Sequence, residues 1–226
     1  MIAIKNTLFV GKVLKYFESA SSTNALAAEW LQNGHNDDLS SVTPNKGLSL
    51  RGAKYTEGVV FFTFHQTAGR GQYGNKWESE PHQNIAISIV LNPTFLNPRE
   101  QFHLNKAISL AVYDVIAQFV TANGVRQAGV ASIKWANDIW VSGKKIAGIL
   151  IENQLEGQQI RACVIGIGLN VNQINFSDEI GHKTTSFSLE TKREWDREQI
   201  LISLLQYIEI EYLALKKGQY ATIDAY

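Results

Sequence analysis

Two clusters of residues in this chain have the types and spacing to act on a phosphate. The first is His65-Gln66-Thr67-Ala68-Gly69-Arg70-Gly71-Gln72-Tyr73-Gly74-Asn75-Lys76-Trp77. Its glycines leave backbone N–H groups open to an anion, and Arg70 and Lys76 add two cations before the first acid, Glu78. The second is Lys134-Trp135-Ala136-Asn137-Asp138, followed one turn later by Lys144-Lys145-Ile146-Ala147-Gly148. If the strands carrying them pair around Ser142-Gly143, Asp138 and Lys145 come close across the ladder. Together they offer cations for phosphate oxygens, a carboxylate for Mg²⁺ or an attacking amine, and an amide for a base or ribose. Gly166-Ile167-Gly168-Leu169-Asn170-Val171-Asn172 adds small residues and two amides, and strand glycines of this kind mark a bulge or a close backbone approach.

Each cluster also has a plainer reading. Glycine-rich segments are more often solvated turns, and a single Lys/Asp pair is more often an exposed ion pair. Trp135 and Trp140 read first as core and second as a wall against an apolar ligand. The glycine loop also spells G-x-G-x-x-G after a strand, the dinucleotide-binding pattern, but that pattern must open a helix. Here Asn75-Lys76-Trp77-Glu78-Ser79-Glu80-Pro81 follows, and the next strand ends at Leu91-Asn92-Pro93 with no acid for a ribose. A dehydrogenase is therefore disfavoured.

The elements that must hold these residues are legible from periodicity and caps. Ser21-Ser22-Thr23-Asn24 precedes an apolar run and predicts a helix from about Thr23 to Gln32. Residues 33–57 lose periodicity and read as a long loop. Val59 to Phe64 and Ile85 to Leu91 are apolar strands. Asn97-Pro98-Arg99-Glu100 opens a helix to about Ala122. Ile133 to Val141, Lys145 to Gln154 and Gln159 to Val171, punctuated by Ser142-Gly143 and Glu156-Gly157, predict an antiparallel meander. Asp196 with Gln199 forms a capping box before a helix through Leu215. The sum is an α+β fold, a mostly antiparallel mixed sheet with helices packed on one side.

The chain has 226 residues, 45% of them apolar, and Lys plus Arg equals Asp plus Glu at 21 each. That length supports one good core, and the zero formal charge argues against a broad nucleic-acid footprint. No apolar run approaches the ~20 residues of a membrane span, and Met1 to Lys15 lacks the layout of a signal peptide. The single Cys163 cannot form an internal disulfide. The expectation is a soluble, cytoplasmic globular protein.

Taken in order, five segments resemble the biotin protein ligases, also called biotin–acetyl-CoA-carboxylase ligases. They are Ser22-Thr23-Asn24, Gln66 through Trp77, Lys134-Trp135-Ala136-Asn137-Asp138, Lys145-Ile146-Ala147-Gly148-Ile149-Leu150, and Gly166-Ile167-Gly168-Leu169-Asn170. The resemblance covers roughly Phe17 to Phe187 and implies a catalytic domain of the kind shared with class II synthetases. It implies that biotin is activated by ATP with Mg²⁺ to biotinyl-5′-adenylate and passed to a lysine of a biotin carboxyl carrier protein. By position in the family motifs, Ser22, Thr23, Asn24 and Gln66 would hold the biotin ring, with Gly148 along its tail. Gly69, Arg70 and Gly71 would fold over biotin and phosphate, and Lys145 would stabilise charge on the carboxylate and α-phosphate. Gln72, Lys76, Trp77, Asn137, Asp138 and Asn170 would surround the nucleotide, with Asp138 also orienting the incoming lysine and Lys134 joining the catalytic set. No fixed protein metal site is implied.

The chain departs from the family pattern at Gln72, where a second arginine is usual, at Asn75 in place of a basic residue, and at Ala136 in place of proline. The resemblance also sets expectations of organisation: a single catalytic domain over 1–226, motifs within about 14–190, a C-terminal helix in 191–226, no DNA-binding domain ahead of it, and the usual small C-terminal β-barrel absent or truncated. It implies no DNA and no membrane partner and admits a homodimer. Two alternatives stand beside it: a lipoate or octanoate ligase, which shares a related fold, and a non-catalytic biotin-binding module.

Overall fold

The computed structural model describes residues 4–34, 57–121, 131–134 and 137–219. In chain order the elements are β1 (Leu14–Tyr16), α1 (Thr23–Gln32), β2 (Val59–Thr63), β3 (Gly69–Arg70), β4 (Lys76–Trp77), β5 (Ile85–Leu91) and α2 (Gln101–Thr121). They continue with β6 (Ala131–Lys134), β7 (Asp138–Val141), β8 (Lys144–Glu156), β9 (Gln159–Leu169), α3 (Asp178–Gly181), α4 (Phe187–Thr191) and α5 (Arg197–Lys216). Seven strands form one sheet in the order β1-β2-β5-β9-β8-β7-β6, with only β1–β2 parallel, and β3–β4 make a separate two-stranded ladder. The expected loop at 33–57 falls almost wholly outside the described residues.

Alternation along the strands divides the sheet into two unlike faces. Ile85, Ile87, Ile89, Leu91, Ile165, Ile167 and Leu169 point to one face, where they pack against α2 and α5 in the main core. Val59, Phe61, Val90 and Val164 point to the other, where α1 lays down Leu26, Ala27 and Trp30. Helices therefore cover both faces, not one as the pattern suggested. The first helix is short: its first residues, Thr23 and Asn24, cover Ser88 and Gly166, while Gly168 lies beyond it under the Trp77 indole.

The helix caps follow the expected chemistry with two adjustments. Ser22 caps α1 by accepting the Ala25 N–H. The segment after Asn97-Pro98 begins as a single 3-10 turn over Pro98–Glu100 before α2 starts. Asp196 caps α5 through the Glu198 N–H, one residue earlier than a capping box places it. Within α5 the buried Glu209 carboxylate accepts N–H groups of Leu8, Phe9 and Val10 at 2.5, 2.8 and 2.9 Å, fastening the N-terminal segment to the core.

The run Ile133 to Val141, expected as one strand, is two. β6 and β7 pair antiparallel with Lys134 opposite Asp138 and Ile133 opposite Ile139. Three residues separate Lys134 from Asp138, so the odd-numbered apolar positions stay on one face through the reversal. That preserved parity is why the two strands read as one. The next hairpin is as expected: Ser142 (φ 50°) and Gly143 (φ 76°) make a two-residue connection with both central residues left-handed.

Candidate active site

At and beyond the start of α1 this sheet face is bare of side chains at its glycines and lines a cavity. Gly148, Gly166 and Gly168 sit side by side on β8 and β9, with Gly148 opposite Gly168 and Leu150 opposite Gly166. A methyl group on Gly166 would overlap the Asn24 carboxamide, and one on Gly168 would overlap the Trp77 indole. The cavity is about 180 Å³, and a neighbouring groove of about 1380 Å³ shares the glycine loop and Leu150 with it. The cavity is smaller than the roughly 300–1,000 Å³ typical of small-molecule sites, so a ligand of that size must extend into the groove.

One end of the cavity is polar and buried. Gln66 Oε1 accepts from the Thr23 N–H at 3.0 Å and from its hydroxyl at 3.3 Å. The Ser88 hydroxyl, on the site face of β5, lies 2.8 Å from Thr23 Oγ1 and donates to Asn24 Oδ1 at 2.5 Å. Asn24 Nδ2 donates onward to Glu152 Oε2 at 2.7 Å. These groups position one another, and an isolated polar side chain here would cost stability. Ser22, whose oxygen accepts the Ala25 N–H, also lines the cavity.

The other end carries charge. Lys145 Nζ sits 2.7 Å from Asp138 Oδ1, with both side chains less than a third exposed. The expected approach of these two residues across the hairpin is found, and a β-bulge between Ile139 and Trp140 adjusts the register that allows it. Lys145 Nζ also stands 5.6 Å from the centre of the Trp77 ring, so the indole covers the lysine from above. Asn137 clamps β8 by donating its Nδ2 to Ile149 O at 3.0 Å while its own carbonyl accepts the Ile149 N–H at 2.8 Å.

The glycine loop arches over both ends. β3 and β4 pair Arg70 with Lys76 and Gly69 with Trp77, which puts the two cations on one face of the small ladder and the indole on the other. Gly69 fits because a side chain there would strike the Trp77 backbone and the Gln66 amide nitrogen. Gly71, Gln72 and Lys76 line the cavity, and at the tip Tyr73 is left-handed (φ 55°) and 99% exposed. Arg70 Nη2 reaches Glu152 Oε2 at 3.1 Å. Among the described residues no group of three His, Cys, Asp or Glu is placed to hold a metal ion.

Two of the expected site residues are not brought to the cavity. Lys134 Nζ lies 4.4 Å over the Trp140 ring on the edge strand β6, opposite Asp138, and does not line the cavity. Asn170 is buried one residue beyond β9, where its Nδ2 donates to Thr185 O at 3.0 Å and its N–H to Ile146 O. It ties the segment before α4 to the sheet and does not line the cavity. Trp135 and Ala136 lie outside the described residues.

Two residues of the site were missed from sequence. Ser88 is the one polar residue in the otherwise apolar strand Ile85–Leu91, and that interruption was a usable signal. Glu152 is four residues after Gly148 on the same strand, so alternation alone puts it on the cavity face. Asn84 and Gln173 form a further pair, with Gln173 Oε1 accepting from Asn84 Nδ2 at 2.5 Å and from the Glu80 N–H at 3.0 Å. They anchor the C-terminal end of the loop, and nothing in the sequence marks them.

Comparison with known proteins agrees with this geometry. A sequence profile of the Biotin/lipoate A/B protein ligase family matches residues 39–170. The bifunctional ligase/repressor BirA of Bacillus spizizenii is 34% identical over 178 residues, which are 77% of this chain and 52% of that protein. The biotin–[acetyl-CoA-carboxylase] ligase of Mycobacterium tuberculosis is 32% identical over 153 residues, 68% of this chain and 53% of that protein. The chain thus spans about half the length of the curated relatives it matches. A biotin protein ligase from Aquifex aeolicus, solved in complex with biotin and ATP, superposes with a TM-score of 0.68 at 27% identity, over 91% of this chain and 72% of that one. With the matched profile covering more than half of its length, this chain belongs to the biotin/lipoate A/B protein ligase family.

Proposed function

We propose that this protein activates biotin with MgATP and transfers it to a lysine of a biotin carboxyl carrier protein. The observation that carries the reading is one cavity with a buried hydrogen-bonding end at Thr23, Gln66 and Asn24 and a charged end at Lys145 and Asp138, roofed by a loop bearing Arg70 and Lys76. Biotin has the matching polarity: a ureido ring rich in donors and acceptors, an apolar tail and a carboxylate. Gly148, Gly166 and Gly168 lie between the two ends with Trp77 and Asn24 packed on them, and the tail would run along them where the indole gives way.

In the first step a biotin carboxylate oxygen attacks the α-phosphorus of ATP, the bond to the β-phosphate oxygen breaks, and pyrophosphate leaves. An anion approaches a polyanion, so cations must neutralise the developing charge. Lys145 is held by Asp138 where it can meet both the carboxylate and the α-phosphate, and Arg70 and Lys76 face the phosphates from the loop. Gln72 supplies hydrogen bonds at the same edge without a charge. Trp77 and Asn137 flank the nucleotide. Mg²⁺ would be held by the triphosphate, with Asp138 the carboxylate in the cavity and Glu78, Glu80 and Glu152 along the adjoining groove. In the second step the neutral amine of a carrier lysine attacks the acyl carbon of the mixed anhydride, the bond from that carbon to the AMP phosphate oxygen breaks, AMP leaves, and the proton of the resulting ammonium passes to solvent. Asp138 is the carboxylate available to orient that ammonium. Closure of the loop keeps water from the anhydride.

The test is pyrophosphate release from MgATP with biotin, lipoate or octanoate as the acid. The reading predicts release with biotin alone and, on adding a carrier domain, a streptavidin-reactive product. Release driven by lipoate or octanoate would assign the chain to the other branch of its family. Tight biotin binding with no release would make it a binding module.

A further inference from the structure

We infer that Glu152 is a positioning residue that holds Arg70, and with it the glycine loop, across the mouth of the cavity in response to how the polar end is arranged. The inference rests on the ligase reading for its kinetic consequence but not for its structural one.

The loop is anchored at both ends by backbone and buried amides. At the start, the N–H groups of Thr67 and Ala68 donate to Ala20 O and Ser21 O at 2.9 and 2.8 Å. At the end, Gln173 takes the Glu80 N–H. Between these anchors the chain from Gly69 to Glu78 rises over the cavity, held to itself by the β3–β4 ladder. Its side chains meet the sheet through the Trp77 indole, packed on Gly148 and Gly168, and through the charged tie of Arg70 Nη2 to Glu152 Oε2. That same oxygen accepts from Asn24 Nδ2, and Asn24 Oδ1 is engaged by Ser88, which touches Thr23, which is bonded to Gln66. The result is one continuous set of contacts from the loop arginine to the buried polar end, with Glu152 as the joint. Both Arg70 and Glu152 side chains are close to half exposed, at 48% and 41%, so the tie is solvent-screened and easily exchanged for a ligand anion. A ligand that re-forms hydrogen bonds at Thr23, Asn24 or Gln66 therefore acts on the Arg70 clasp without touching it.

Glu152→Gln tests this, since glutamine keeps an acceptor for Asn24 and removes the charge that holds Arg70. Without ligands, amide hydrogen exchange of residues 69–78 should quicken by about two- to fivefold in the variant, the range open to an exposed ion pair, with α1 and β5 unchanged. In the pyrophosphate assay KM for biotin should rise by a similar factor with a smaller change in kcat, and Glu152→Asp, which keeps the charge, should recover part of the loss. If Glu152→Gln does not fold, the parent protein still decides: raising salt from low to about 0.5 M should quicken exchange in the loop, because screening weakens the clasp. Loop exchange unaltered by both the substitution and salt would overturn the inference. Quickened exchange in a protein that releases no pyrophosphate would keep the clasp and sink the ligase reading, and normal release with unaltered exchange would do the reverse.

Discussion

The two faces of the seven-stranded sheet are made from alternate residues of the same strands, and they have opposite chemistry. On β9, Ile165, Ile167 and Leu169 fill the core under α2 and α5, while Val164, Gly166 and Gly168 between them face α1 and the cavity. On β5, Ile87 and Ile89 enter the core, and Ser88 enters the polar end of the site. The comparison shows how a site is added to a stable sheet at little cost. One face carries the burial that holds the fold, so the other can be emptied to glycine and furnished with polar and charged groups.

The largest effect should come from the charged end of the emptied face. Lys145→Met, which keeps length and removes charge, should lower biotin-dependent pyrophosphate release by about 10²–10³-fold, the scale of losing one transition-state charge partner. Far-ultraviolet circular dichroism of the variant should match the parent. On the filled face, Ile165→Ala should cost about 2–5 kcal/mol in denaturant unfolding, because Ile165 is fully buried and its neighbours collapse only partly. Its KM for biotin, measured where the protein is folded, should stay within about twofold of the parent.

Gly168→Ala sharpens the contrast, since it lies on the same strand and faces the other way. The added methyl must displace the Trp77 indole. KM should rise about tenfold, with a loss of stability smaller than that of Ile165→Ala. A Gly168→Ala protein that loses stability like Ile165→Ala and binds normally would end the division of labour argued here. Gln72→Arg, which adds a charge to the loop, should slow escape of the acyl-adenylate by a few-fold in a filter-retention assay.

The smallest effect is expected where two acids meet between α2 and α5. Burial raises the pKa of Asp114 above its ordinary 3.8, and burial plus the Asp114 charge raises that of Glu211. A carboxyl with a raised folded-state pKa favours its protonated form, so its cost to stability is absent below the ordinary carboxylate range and appears as pH climbs through it. Asp114→Asn should therefore raise the unfolding midpoint by about 1–3 °C at pH 7, a gain that disappears near pH 4 in a thermal melt series.

What was readable in the sequence follows from where each signal is local. The helix at Thr23–Gln32 announced itself through Ser22, and β5 through the apolar run Ile85–Leu91, broken only at Ser88. The Asp138–Lys145 contact was readable because Ser142-Gly143 fixes the hairpin that brings them together. The reversal between Lys134 and Asp138 was not, because the apolar alternation runs through it unbroken. Lys134 was assigned to the site by its place in the motif that ends at Asp138, although its side chain lies over Trp140. Asn170 shared a motif with the cavity glycines and lies just past the point where the strand leaves the site. Alternation from Gly148 puts Glu152 on the cavity face, but its partner Arg70 was not legible, because that contact joins residues 82 apart in sequence.

The central claim is that ligands enter the glycine-cleared face, and hydrogen exchange with and without biotin plus MgATP tests it most directly. The account predicts new protection in residues 66–77, in 137–150 and around Gly166 and Gly168, with no change in α2 or α5. Protection centred on α2 and α5, or none at all under conditions that saturate binding, would contradict it.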